Sequence, residues 1–161
     1  MNIFDFAINM EKEGEEYYRQ LADQASEEGL KRILNRMADD EVKHYLTFEA
    51  MKNEEQPEFS DTVILKDAKE VFSQITMDTE LKKSDASQLE VYKKAQEMEL
   101  KSEEFYCQEA AKIRNEDHKK LLLKIAEEEK KHYFLLQNII DFISRPQKWI
   151  ENAEFYKLDD Y

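Results

Sequence analysis

The chain of 161 residues carries 37 acidic and 24 basic side chains, a formal net charge of -13 at pH 7, which opposes binding to nucleic acid or to an anionic membrane surface. One cysteine, Cys107, excludes an intramolecular disulfide and any metal module built on four thiolates. Two glycines and two prolines among long runs of Ala, Leu, Glu, Lys, Gln and Met exclude a turn-rich β architecture and predict an all-α chain of one domain, residues 1–161.

In chain order, the apolar periodicity predicts a helix over about 3–26 and a second over about 29–53, with Gly29 at the tight turn between them. A connection over about 54–85 holds Pro57 and a short amphipathic helix around 61–76. A third long helix follows over about 86–114 and a fourth over about 117–144, separated by the polar cluster Arg114-Asn115-Glu116-Asp117. Pro146 ends the last helix and leaves a tail over 146–161. No apolar stretch approaches the roughly 20 residues that span a bilayer. The start MNIFDFAINMEKEG lacks a basic signal-peptide region, so a cytoplasmic address is expected.

The two halves are copies of one unit. Residues 10–22, MEKEGEEYYRQLA, align without gaps on 98–110, MELKSEEFYCQEA, and the same offset of 88 carries MADDEVKHY (37–45) onto IAEEEKKHY (125–133). Repeat 1 spans about 3–53 and repeat 2 about 86–145, each an antiparallel helix hairpin. A helix of ~25 residues is ~38 Å long. A connection of some thirty residues can run that length, so the expected fold is a four-helix bundle of two hairpins joined by a long crossover.

At ~100° per residue, Glu11 lies at the centre of an apolar stripe between Phe4, Ala7, Ile8, Tyr18 and Leu21. Glu99 is framed in the same way by Tyr92, Ala95, Tyr106 and Ala110. Glu41 sits among Leu34, Met37, Ala38 and Phe48 with His44 on its face, and Glu129 among Leu122, Ile125, Ala126 and Leu136 with His132 beside it. Four carboxylates in an apolar interior repel one another and are costly to desolvate. Two divalent cations would balance them. Two Glu plus two Glu-x-x-His is the set with which helical bundles hold two iron or two manganese ions. Metal ligands are therefore expected at Glu11, Glu41, His44, Glu99, Glu129 and His132, with Glu41 and Glu129 bridging, Glu11 and Glu99 terminal, and one histidine on each metal. Coincidence, or a relic that no longer binds metal, is the competing account.

Other residues keep two readings. Tyr18 and Tyr106, two turns beyond Glu11 and Glu99, are either hydrogen-bond donors or redox-active groups beside the metals, with a catalytic role, or ordinary core residues. Glu15 and Glu103 either support the site or are solvated. Gly14 and its counterpart Ser102 either leave room for an exogenous ligand such as peroxide or let a bulky neighbour pack. Tyr45 and Tyr133 read as packing residues, His118 as a surface residue and Cys107 as structural.

Through Glu11-x6-Tyr18, Glu41-x-x-His44, Glu99-x6-Tyr106 and Glu129-x-x-His132 the chain resembles the ferritin-like superfamily, and within it the rubrerythrin di-iron domain, in a small single-domain form. The tail PQKWIENAEFYKLDDY is similar to the C-terminal segment of small members of that group. The resemblance implies a ferritin-like bundle and a non-haem di-iron centre that reduces hydrogen peroxide to water and protects oxygen-sensitive cells. Rubrerythrins proper add a rubredoxin module with four cysteines. With one cysteine, electrons are expected from an external donor protein, rubredoxin-like or a flavoprotein. They also carry a further Glu three residues beyond the third helix's ligand, where this chain has Ser102. Bacterioferritins place a haem-ligating Met after the second helix's Glu, where this chain has Val42.

The expected function is therefore that of a metal-binding oxidoreductase of oxidative-stress defence, acting on peroxide or dioxygen through two iron ions. Manganese and zinc are alternative metals. The expected assembly is a homodimer, without nucleic-acid or membrane partners. The competing functions are iron oxidation and sequestration, oxygenation of an organic substrate, and non-catalytic metal binding.

Overall fold

The computed structural model describes residues 2–74 and 88–144, and among these the chain forms five helices and no strand: α1 (Ile3–Gln24), α2 (Glu28–Lys52), α3 (Ile64–Ser73), α4 (Leu89–Lys112) and α5 (Glu116–Ser144). The all-helical bundle expected from the sequence is the fold observed. Each helix lies within about one turn of its expected bounds. Pro146, the tail over 146–161 and the second half of the crossover fall outside the described residues.

Local chemistry sets the helix starts. The Asn2 side chain accepts from the Asp5 N–H at 2.9 Å and opens α1. Glu27 accepts from the Leu30 N–H at 2.8 Å and opens α2. Asn115 accepts from the N–H groups of Asp117 and His118, at 3.0 and 3.1 Å, and opens α5. The end of α2 is turned by Glu54, whose left-handed backbone (φ 58°) lets the Glu55 N–H reach the Ala50 carbonyl at 2.8 Å.

α1 packs along α2, α4 packs along α5, and α3 lies against α2 and α5. Along every long helix the buried residues run apolar, polar, apolar. One core cluster gathers Leu21, Leu34, Met37, Tyr92 and Leu136, and a second gathers Ala7, Phe48, Tyr106 and Leu122. Between them, at the middle of all four helices, stand Glu11, Glu41, His44, Glu99, Glu129 and His132, none more than 3% exposed.

Gly29 departs from the sequence expectation. It does not form the turn; that role belongs to Ala25–Glu27, and Gly29 is buried inside the first turn of α2 with ordinary helical φ. Its hydrogen faces α3. A Cβ there would stand 2.4 Å from Val71 Cγ1 and 2.8 Å from Glu27 Oε2, so the glycine is required by close approach. Val71 is β-branched and cannot swing aside freely. Gly29→Ala is expected to destabilise the fold in urea unfolding, because overpacking costs about 1–3 kcal/mol and outweighs the ~1 kcal/mol that Ala gains in a helix. In a Val71→Ala background the same substitution should become neutral or stabilising, and a double-mutant cycle measures that coupling.

Candidate metal site

The six residues expected to meet do meet. Ligand atoms of Glu11, Glu41, His44 and Glu129 lie within 4.8 Å of one another, as do those of Glu41, Glu99, Glu129 and His132. The two sets share Glu41 and Glu129, and the imidazole rings are 6.2 Å apart.

Each imidazole turns Nδ1 toward the cluster and Nε2 away. His44 Nδ1 lies 3.3 Å from Glu11 Oε2 and 3.1 Å from Glu129 Oε1. His132 Nδ1 lies 3.1 Å from both Glu99 Oε1 and Glu41 Oε1. On the far side, His44 Nε2 meets Glu128 Oε1 at 2.8 Å and His132 Nε2 meets Asp40 Oδ2 at 2.9 Å. Burial alone would raise Asp40 and Glu128. The hydrogen bond and charge of the imidazole, together with Thr62 or Lys43, jointly outweigh it, so both are held below the usual carboxylate value. Ionised carboxylates only accept, so Nε2 carries a hydrogen in each ring, and Nδ1 is the nitrogen that would bind a metal on giving up its own proton.

Asp40 and Glu128 were missed by sequence reasoning. The signal was present: they are equivalent under the 88-residue offset and directly precede Glu41 and Glu129. On their own helices they look like solvated neighbours. Each supports the histidine of the other repeat. The tyrosines cross in the same way. Tyr18 donates a very short hydrogen bond to Glu99, and Tyr106 donates to Glu11 Oε1 at 2.5 Å. Burial first, and the neighbouring carboxylates second, push both phenols well above their ordinary value, so they remain donors.

Without a metal, bound protons must balance the charge of the cluster. Burial and repulsion from Glu11 and other carboxylates push Glu41 and Glu129 well above the usual carboxylate range. Burial would also raise Glu11, but His44 and hydrogen bonds hold it below that range. Burial lowers His44 and His132, yet Glu11 and Glu99 respectively lead the contacts that raise them well above an ordinary imidazole. Glu41 Oε1, Glu99 Oε2 and Glu129 Oε1 are buried without a hydrogen bond. Two of these oxygens stand 3.1 Å from an imidazole Nδ1, but the single hydrogen of each Nδ1 is directed to Glu11 or Glu99. Orphaned carboxylate oxygens facing two imidazoles form a hard oxygen-and-nitrogen donor set that fits a divalent first-row metal.

Gly14 faces this layer. A Cβ there would stand 2.8 Å from Glu41 Oε2, so the close neighbour that the glycine admits is the Glu41 carboxylate. Gly14 also borders a cavity of about 20 Å³ whose floor includes Glu41, Glu99, Glu129 and Tyr18, with half-buried Met10, Met98, Tyr17 and Ser102 around it. Both sequence readings of Gly14 thus have a counterpart in the structure.

Other candidates stay outside. Glu15 pairs with Arg19 at 3.3 Å. Glu103 is half-buried, with Lys130, Glu127 and Glu104 as its charged neighbours. His118 packs edge-on against Phe4 at 5.6 Å, and Tyr45 packs on the second core cluster. Cys107 is exposed, which corrects its reading as a structural residue; partial burial and the charges of Glu103 and Glu127 raise its thiol, which disfavours the thiolate.

A helical bundle carrying a buried carboxylate–histidine cluster is the class of protein that this fold and site define. The family model for rubrerythrin matches residues 2–140, and the chain belongs to the rubrerythrin family, a ferritin-like di-iron family. No curated protein and no solved structure matches it. No helix among the described residues is long and apolar enough to cross a membrane.

The protonation pattern sets a pH response. In the metal-free protein Glu41, Glu129, His44 and His132 bind protons more tightly folded than unfolded, so their contribution is complete at low pH and is lost as pH rises through their raised folded values. Glu11, Asp40 and Glu128 act oppositely, but that contribution is already complete above about pH 5. The metal-free protein should therefore melt at a lower temperature at pH 8 than at pH 5.5. Added Mn²⁺ competes with the same protons, so its stabilising effect should grow over that interval. Thermal melts with and without the metal check both signs.

Proposed function

We propose that this protein is a di-iron oxidoreductase that reduces hydrogen peroxide to water with electrons from a separate donor. The observation that carries the reading is the pair of overlapping ligand sets sharing Glu41 and Glu129, with a cavity of about 20 Å³ set directly on them. Glu41 and Glu129 would bridge two metals, Glu11 and His44 would complete one, and Glu99 and His132 the other. An iron pair bound there supplies two electrons and a polarising surface for O–O cleavage.

The remaining work belongs to the chain. Asp40 and Glu128 hold the imidazoles with Nδ1 inward. Tyr106 fixes Glu11, and Tyr18 fixes Glu99 while also forming part of the cavity wall. Reduction of one peroxide consumes two electrons and two protons and yields two waters. A water molecule needs some 10–15 Å³ of such space, so the cavity suits a molecule of two heavy atoms. A space of that size supports peroxide or dioxygen as the molecule it admits.

Anaerobic loading with Fe²⁺ followed by peroxide titration tests the proposal: one peroxide should oxidise each iron pair. No oxidation, or much faster oxidation by dioxygen than by peroxide, argues against it. Ser102→Val narrows the cavity without touching a ligand. It should leave metal stoichiometry intact and slow oxidation by about tenfold or more, a barrier increase of about 1.4 kcal/mol.

A further inference from the structure

Thr62 lies in the crossover just before α3, and it reaches the carboxylates behind both imidazoles. Its hydroxyl donates to Asp40 Oδ2 at 2.5 Å and accepts from the Ile64 N–H at 3.1 Å. Its backbone N–H donates to Glu128 Oε2 at 2.8 Å. Asp40 Oδ2 also takes the Nε2–H of His132, and Glu128 Oε1 that of His44. One residue of the connecting segment therefore orients the histidines of both repeats, through groups of different kinds.

The difference breaks the symmetry of the repeat. Glu128 has a second anchor in Lys43, whose Nζ lies 2.7 Å from Oε1 and is itself fixed by the Ser60 carbonyl at 2.8 Å. Asp40 lies 3.9 Å from the same Nζ. Without the Thr62 hydroxyl, Asp40 would keep the imidazole but lose its shortest restraint. Without that hydroxyl, Glu128 would keep both the backbone N–H and Lys43.

We propose that Thr62 is a positioning residue that makes the two metal positions inequivalent: its hydroxyl holds His132 through Asp40, whereas His44 is held through Glu128 independently of the hydroxyl. The inference rests on the reading that the cluster binds two metals.

The test uses the full chain and Mn²⁺ alone. Thr62→Val keeps the shape and the backbone N–H and removes the hydroxyl; Thr62→Ser restores it. Wild type and Thr62→Ser should take two Mn²⁺ at equal affinity to each other. Thr62→Val should keep one at the wild-type affinity and weaken the second by several-fold, toward the roughly tenfold lower end of what losing a histidine's own outer partner costs. With Co²⁺ in place of Mn²⁺, one of the two exchangeable imidazole N–H resonances should shift and the other remain. Asp40→Asn should reproduce the loss at one position, and it serves if Thr62→Val does not fold. Equal weakening of both positions, or none at either, overturns the inference while leaving the di-metal reading intact; a simple cap on α3 would lower thermal stability and give one of those results. A wild-type protein that takes no metal pair overturns both.

Discussion

A layer of four carboxylates and two imidazoles buried across the middle of an apolar bundle is the constraint on which the rest of the structure depends. Each buried ion costs about several kcal/mol even after relaxation, roughly what burying two or three leucines contributes. The cost is met in three ways. Apolar clusters on either side hold the helices together and exclude water. Tyr18, Tyr106, Asp40 and Glu128 satisfy the outward-facing atoms. What remains, three orphaned carboxylate oxygens, suits cations that would displace the bound protons.

The support is reciprocal between repeats. Tyr18 of the first repeat serves Glu99 of the second, Tyr106 serves Glu11, Asp40 serves His132 and Glu128 serves His44. Neither hairpin alone could satisfy its own ligands, so closing the bundle and completing the cluster are one event. The crossover joins in asymmetrically at Thr62, on the side of the layer toward which Nε2 points. The cavity beside Gly14 and Ser102 touches the carboxylates instead. The supports of the imidazoles and the mouth of the cavity are thus built from different residues.

The bundle and the six clustered residues were legible because the information is local. A period of 3.6 places Glu11, Glu41, Glu99 and Glu129 on apolar stripes, the i,i+3 step adds His44 and His132, and the repeat offset doubles the pattern. The tyrosines were legible as members of those stripes, but not their partners, which lie 81 and 95 positions away. Asp40 and Glu128 sit about 100° round from the neighbouring glutamate and read as surface until the other hairpin covers them.

The sequence by itself determined the helices, their buried faces and the chemical kind of the central layer, since each follows from spacing along one chain segment. Only the tertiary structure decided what those faces meet. It crossed the hydrogen bonds between repeats and set Thr62 behind both histidines. It brought Val71 against Gly29, and it placed the Glu41 carboxylate against Gly14. These contacts depend on where rigid helices dock, and docking is settled by the packing of all their side chains together.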